Sequence, residues 1–369
     1  MKKIKVLICD DSALMRRSLK KIIESDPSIT VIATARDGED SVTKARELRP
    51  DVVTMDINMP GMDGITALQI IVNEEIAPVL MLSSLTQEGA VVTFEAMALG
   101  AFDYVSKPGG TVTVQMGPVA PEIIKKIKAA ARPGVLKKLT RNRLHDGGGS
   151  SNLKARRESL KRRISKRTRT TRAAGKVKGP GFKAVALGIS TGGPKTLFEV
   201  LPFLPEDLPA AIFLVQHMPP KFIHTYAQRI DAHSSMQCME TDLGMIVEPG
   251  KIYLAKGGHH MILFRKLNGK IVIRAPRRPH HTFMPSVDIM MNSVADVFGQ
   301  DTIGVLMTGM GADGADGMVK IRDAGGITIA ESEESAIVFG MPNEAIQRGG
   351  AEIVVPSWEI ADKIIKAVG

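Results

Sequence analysis

Ser190 sits within Gly188-Ile189-Ser190-Thr191-Gly192, where the apolar run KAVALGIS meets the helical pattern TGGPKTLFEVLPFL. This is the G-x-S-x-G spacing of a nucleophile turn, in which a sharp strand-to-helix reversal exposes a serine hydroxyl. Gly188, Gly192 and Gly193 permit such a reversal. The helix expected after it would turn its free N–H groups toward a developing oxyanion. A phosphate loop competes for the same residues, but it requires G-x-x-x-x-G-K-[ST]. Here Pro194 follows Gly193, so Lys195-Thr196 fall one place late, and proline removes one N–H that such a loop would use. A dinucleotide fingerprint also fails here, because this segment lacks G-x-G-x-x-G. Packing glycines around an incidental serine are the remaining alternative.

A nucleophilic serine needs a base, and the base needs an orienting carboxylate. His217 ends AAIFLVQH just before the strand-breaking Met218-Pro219-Pro220, on the rim where a base is required. His145, His224, His233, His259, His260, His280 and His281 fall in loops, linker or helical stretches, with His259 or His260 the second choice of base. For the acid, TIGVLMTGMGADGADG opens from an apolar strand into a glycine-rich loop carrying Asp313 and Asp316. One carboxylate would hold the imidazole and the other would cap a helix. Serine, histidine and aspartate would then come from three strand ends in that chain order.

A second set of strand ends carries different chemistry. Asp10 and Asp11 follow KIKVLIC, and Asp56 ends DVVTM. Functional residues of a parallel α/β sheet gather beyond the carboxyl ends of its strands. Three carboxylates there suit Mg²⁺, a hard ion that takes oxygen ligands and keeps several waters. A solvated acidic loop explains any one of them but not the set. Ser83 ends VLMLSS and Lys107 ends FDYVSK before Pro108. A hydroxyl and an ammonium beside these acids could stabilise a phosphoryl group on Asp56.

These residues need elements to position them. In residues 1–130, short apolar runs alternate with helical patterns, implying a parallel sheet with crossovers on both faces. The last helix is APEIIKKIKAAA, ending before Arg132-Pro133. Alternation resumes at 183, giving strands KAVALGIS, AAIFLVQH, KIYLAKG, TIGVLMTG, GITIAES and AEIVVPS. MILFRKLNGKIVIRAP reads instead as an antiparallel hairpin turned at Asn268-Gly269. The chain is thus α/β throughout, with two domains at 1–130 and 183–369, as its 369 residues also suggest.

The net charge of +10 resembles a nucleic-acid signal until it is located. Residues 132–182 hold 17 Lys/Arg against Asp146 and Glu158, so the rest of the chain carries −5. Residues 131–182 therefore read as a basic, flexible linker with little apolar surface. A polybasic DNA-binding arm is its functional rival, although nothing nearby forms a helix-turn-helix. Two cysteines, Cys9 and Cys238, are too few for a disulfide framework or a Cys-based zinc site. The start of the chain does not read as a signal peptide, and no apolar window is long enough to span a membrane. A cytoplasmic location is expected.

Residues 1–125 resemble response-regulator receiver domains, on Asp10-Asp11, Asp56, Ser83, Tyr104 and Lys107-Pro108. The resemblance implies a flavodoxin-like doubly wound fold in which Asp56 accepts phosphate from a histidine kinase. It further implies Mg²⁺ held by Asp10, Asp11, Asp56 and the Asn58 carbonyl, with Ser83 and Tyr104 as a switch pair beside Lys107. Residues 183–369 resemble the catalytic domain of chemotaxis protein-glutamate methylesterases, on GISTGGP, QHMPPKF, MPSVD at 284–288 and LMTGMGADGADG. That resemblance implies a doubly wound, mainly parallel hydrolase domain. Ser190 would be its nucleophile, His217 the base and Asp313 the orienting acid. Thr191 would position the imidazole, and the Met310 backbone would bind the oxyanion. The implied substrates are glutamyl methyl esters, and glutamines, of methyl-accepting chemotaxis receptors, with no cofactor for the hydrolysis. The unphosphorylated receiver would cover the catalytic rim. The long basic linker departs from the family pattern and could contact acidic receptor surfaces or anionic lipid. A DNA-binding response regulator and a non-catalytic receptor adaptor are the rival readings; no nucleic-acid partner is expected.

Overall fold

The computed structural model describes residues 2–84, 86–107, 117–146 and 181–369, which divide into two compact units. In the first, five strands alternate with helices: β1 (Ile4–Cys9), β2 (Ile29–Ala35), β3 (Val52–Asp56), β4 (Val79–Ser84) and β5 (Asp103–Lys107). The strands pair in parallel in the order β2-β1-β3-β4-β5, the flavodoxin-like order. Its switch point lies between β1 and β3, so the residues following Cys9 and ending at Asp56 face one crevice. The helices α1 (Ala13–Ile23), α2 (Gly38–Leu48), α3 (Gly64–Asn73) and α4 (Gln87–Ala98) each start behind a capping side chain. Ser12, Asp37, Asp63 and Thr86 accept an N–H from the first turn, satisfying one otherwise orphaned donor.

Helix α5 (Ala120–Ala130) ends where the sequence implied, but the chain does not turn straight into a tether. Residues Val135–Asp146 form a further helix, α6. Val135 and Leu139, four apart on one helical face, are both buried. Two apolar residues among many lysines and arginines were too sparse a pattern to read as an amphipathic face. The rest of the expected linker, residues 147–180, and Pro108 lie outside the described residues.

The second unit is built on seven parallel strands in the order β14-β13-β12-β6-β7-β9-β8. These are β6 (Lys183–Ile189), β7 (Ala210–Gln216), β8 (Gln237–Glu240), β9 (Lys251–Leu254), β12 (Thr302–Leu306), β13 (Ile327–Glu331) and β14 (Ile353–Val355). Strands β10 (Ile262–Arg265) and β11 (Ile271–Arg274) form the separate antiparallel hairpin, with Gly269 at φ 81° in its turn. The chain leaves β6 toward β7 and later returns to lay β12 on its other side. The carboxyl ends of β12, β6 and β7 are therefore neighbours at a topological switch, where ligand sites of open α/β sheets form. Edge strand β8 was not anticipated; its QCME segment is short and lacks a β-branched run.

The remaining helices are α7 (Gly193–Thr196), α8 (Pro220–His233), α9 (Val287–Phe298), α10 (Ala315–Asp323), α11 (Met341–Gln347) and α12 (Ser357–Val368). Met290, Met291 and Val294 of α9 join Phe213 of β7 and Tyr253 of β9 in the core. The helix expected over TGGPKTLFEVLPFL is a correction: α7 lasts one turn and gives way to 3₁₀ turns at Leu197–Glu199 and Leu201–Phe203. Pro202 cannot supply the N–H a continuing helix requires. One turn carries little dipole, so oxyanion binding must come from elsewhere.

Candidate active site

Ser190, His217 and Asp313 follow β6, β7 and β12 respectively. Ile189 and Gln216 are the last registered pair of β6 and β7, so Ser190 and His217 are the next residues on neighbouring strands. Their backbones stay joined: the His217 N–H donates to the Ile189 carbonyl (3.2 Å). His217 Nε2 lies 2.8 Å from Asp313 Oδ2. A carboxylate only accepts, so Nε2 carries the proton and Nδ1 presents its lone pair. Nδ1 is buried and makes no hydrogen bond. The Phe283 ring lies flat against the imidazole, with centroids 4.1 Å apart and 7° between planes. The ring is thus held at one nitrogen and one face, while its other nitrogen has no hydrogen-bond partner.

Asp313 is fixed more firmly still. Oδ2 also accepts the Val287 N–H (2.7 Å), and Oδ1 accepts the Ser286 hydroxyl (2.7 Å) and the Asp288 N–H (3.1 Å). Burial alone would raise its pKa. The hydrogen bond and charge of His217, with the Val287 N–H and Ser286 hydroxyl, overcome burial and lower it to about 2. Asp316 does not cap a helix as expected: Gly314 is the N-cap of α10, with no side-chain cap bond, and Asp316 lies exposed in the first turn, paired with Arg348 (2.6 Å).

The loop after β12 grips the nucleophile's turn. The Ser190 N–H donates to the Thr308 carbonyl (2.9 Å), and the Thr308 hydroxyl donates to the Thr191 carbonyl (2.9 Å). The Thr308 N–H is held by the fully buried Glu331 carboxylate (2.7 Å). Gly309 has no room for a side chain: a Cβ there would sit 2.8 Å from Ser190 Cβ and 2.2 Å from Met341 Sδ. The next N–H, that of Met310, donates to no described backbone group. On the opposite side, Gln216 Nε2 donates to the Ser190 and His217 carbonyls (3.0 and 3.1 Å). No hydrogen bond joins the Thr191 side chain to the imidazole among the described residues.

The second-choice histidines have other work. His260 is buried, donating from Nε2 to the Pro279 carbonyl (2.9 Å) and accepting the Ser286 N–H at Nδ1 (3.3 Å). His259 accepts from Arg277 Nε (3.1 Å). Neither is the partner of Asp313. Phe283, Ser286 and Gln216 are functional neighbours not singled out in the sequence. Gln216 and Ser286 lay inside motifs read for other residues, and Phe283 carried only its place beside MPSVD.

In the first unit, Asp10, Asp11 and Asp56 bring carboxylate oxygens within 4.8 Å of one another. Oxygens on one Mg²⁺ at about 2.1 Å lie no more than about 4.2 Å apart, so small side-chain shifts would let all three bind one ion. Lys107 Nζ bridges Asp10 (2.9 Å) and Asp56 (2.8 Å). Burial raises the Asp56 pKa; Lys107 opposes this and Asp10 adds to it. Burial works against the Lys107 charge, but the two aspartates outweigh it and raise its pKa. Arg16 Nη1 donates to the Asp10 and Asp11 carbonyls (2.7 and 2.9 Å), fixing the acidic turn. Asn58 is exposed two residues beyond Asp56. Ser83 Oγ is fully buried, 2.6 Å from Thr93 Oγ1. Tyr104 is also buried, with Lys126 Nζ 5.2 Å above its ring. Asp10, Asp11, Asp56 and Lys107 thus gather at the ends of β1, β3 and β5, whereas Tyr104 lies near the start of β5.

Two family models match: CheB methylesterase over residues 185–364 and response regulator receiver domain over residues 6–115. A protein-glutamate methylesterase/protein-glutamine glutaminase from Syntrophomonas wolfei is 58% identical, covering 99% of each chain. One of the same name from Caldanaerobacter subterraneus is 49% identical, covering 100% of this chain and 97% of its own. The solved catalytic domain of Thermotoga maritima CheB methylesterase is 39% identical with a TM-score of 0.49, covering 52% of this chain and 99% of that one. No described helix is long and apolar enough to cross a membrane. These relatives do not favour a DNA-binding regulator. The chain belongs to the protein-glutamate methylesterase/protein-glutamine glutaminase family, with a response-regulator receiver domain in its N-terminal part.

Proposed function

We propose that the chain is a phosphorylation-regulated serine hydrolase that demethylates glutamate methyl esters on methyl-accepting chemoreceptors and deamidates glutamines there, resetting receptor sensitivity. The observation that carries this reading is the imidazole of His217, bound to Asp313 at Nε2, with a buried, unpartnered Nδ1, on the strand end next to that of Ser190. Ser190 Oγ attacks the glutamyl carbonyl carbon while Nδ1 takes its proton, and Asp313 stabilises the imidazolium that forms. The oxyanion develops where the Met310 N–H is free to donate, a group worth about 10²–10³ in turnover. The tetrahedral intermediate collapses as the imidazolium returns its proton to the departing methoxide, giving methanol, or to the amide nitrogen, giving ammonia. Water then attacks the glutamyl-serine ester with His217 again as base, releasing a free carboxylate and Ser190. Thr191, next to the nucleophile, would position the imidazole, and Gln216 ties the nucleophile and base backbones together. No cofactor enters this chemistry.

Regulation is assigned to residues 1–130, the catalytic domain to 183–369 and a basic linker to 131–182. A histidine kinase supplies phosphate to Asp56, with Lys107 neutralising part of its charge. Asp10, Asp11, Asp56 and the Asn58 carbonyl would hold Mg²⁺, which when bound supplies charge neutralisation for the phosphoryl oxygens. Ser83 and Tyr104 report the modification, shifting the population between a covered and an open catalytic rim. A cytoplasmic location follows from receptors whose modified segments face that side. A contact of the basic linker with acidic receptor or lipid surfaces is part of the same proposal.

Methanol release from methylated receptor membranes, with and without a phosphodonor, tests the reading. Release that rises with the phosphodonor and vanishes in Asp56→Asn for the stimulated part supports it. No release from the wild-type chain sinks it.

A further inference from the structure

The hairpin side of the catalytic unit is set apart by charge. Residues 183–369 carry 17 Lys/Arg against 20 Asp/Glu, yet eight of those cations lie between Glu248 and Asp288, where there is no acidic residue. Lys251 and Lys256 pair with Glu248 and Asp242. Lys266, Lys270, Arg274, Arg277 and Arg278 are exposed and form no ion pair among the described residues. Folding does not require this arrangement. The hairpin anchors itself through Leu263, Ile271 and Ile273, which join the core, and its outward residues are free to be of either sign. Like charges left unpaired on an otherwise acidic unit repel one another and attract an anionic partner.

This surface is tied to the active site. The segment 275–283 runs from the end of β11 to Phe283, whose ring is stacked on His217. His260 holds the Pro279 carbonyl, and His259 holds Arg277. Whatever rests on Arg277 and Arg278 therefore lies within a few residues of the carbonyl under attack.

We infer that hairpin β10–β11 and the loop 275–282 form the docking surface for the acidic polypeptide segment that carries the scissile glutamyl group. The inference rests on the esterase reading above and extends it to substrate recognition. Each turnover converts a neutral ester or amide into a carboxylate, so a substrate with several target sites becomes more anionic beside the next one. Complementary charge of this kind acts on encounter and on KM, and it is screened by salt.

The test uses the full-length chain with phosphodonor and a lipid-free, methylated cytoplasmic fragment of the receptor. The variant Lys266→Glu/Lys270→Glu/Arg278→Glu should raise KM about tenfold at low salt, with kcat within about twofold. The difference should shrink below about twofold near 0.5 M salt. Because these side chains are exposed, the thermal midpoint should hold, and the milder Arg278→Gln should raise KM in the same direction. Unchanged KM at low salt overturns the docking surface. A KM change confined to membrane-embedded receptor assigns the surface to anionic lipid instead. A higher unphosphorylated rate with unchanged KM assigns it to the receiver domain, and either result overturns the inference. Failure of the wild-type chain to release methanol removes the esterase reading and the surface with it.

Discussion

Replacing Asp313 with asparagine perturbs the site at its most connected point. Each carboxylate oxygen of Asp313 accepts a backbone N–H, from Val287 on one side and Asp288 on the other. An amide must therefore set its own NH₂ against one of these donors in either orientation. The unsatisfied group costs about 1–3 kcal/mol. The carboxyl is held at about 2, against an ordinary value of 3.8. A group whose folded pKa is depressed stabilises the fold above its unfolded value and loses that contribution as the pH falls through its folded value. From this shift the contribution is about 2 kcal/mol near neutrality, disappearing between about pH 4 and pH 2. In catalysis, the neutral amide cannot stabilise an imidazolium at Nε2, and with its NH₂ toward the ring it forces the proton onto Nδ1. Turnover should fall about 10³–10⁴-fold. The assay pairs methanol release with urea unfolding at neutral pH and at pH 3. The variant should be less stable than wild type at neutrality, and the gap should narrow at pH 3. Turnover within about tenfold of wild type, or a gap that widens in acid, would refute the reasoning.

Other perturbations follow from single contacts. Gly309→Ala drives a methyl group into Ser190 Cβ and Met341 Sδ, so turnover should fall at least about tenfold with about 1–3 kcal/mol of destabilisation, measured by kinetics and denaturant titration. Phe283→Leu removes the flat face against His217 and should lower kcat about tenfold with little change in KM, whereas Phe283→Tyr should restore it; equal kcat in the two variants would discard the stacking role. Asp56→Asn should abolish incorporation of labelled phosphate and leave the unstimulated methanol release in place; labelling that persists would move the acceptor elsewhere.

Legibility differed between backbone and side-chain features. Strand ends were readable because apolar runs such as AAIFLVQ stop abruptly at a polar residue or a proline, and that is why Ser190, His217 and Asp313 could be picked out from far apart in the chain. The NG turn of the hairpin was equally plain. Contacts made only after packing were not. Phe283 meets His217 across the fold with no spacing to announce it, and Ser286 supports Asp313 through a bond between residues 27 positions apart. The one-turn α7 was misjudged as a longer helix because TLFEV has helical spacing; it passes into a 3₁₀ turn at Leu197, and Pro202 bars an α-helix from continuing through Leu201–Phe203. Residue pattern alone did not separate Asp313 from Asp316; the family resemblance chose Asp313. In the structure, Asp313 is buried and bonded to the imidazole, while Asp316 meets Arg348 in solvent.

The nucleophile itself can be caught in the act. Acid quenching of the reaction with methylated receptor, followed by peptide mass mapping, should find a glutamyl ester on the peptide containing Ser190, and Ser190→Ala should fold normally with neither adduct nor methanol. Methanol release that continues in Ser190→Ala would contradict the account.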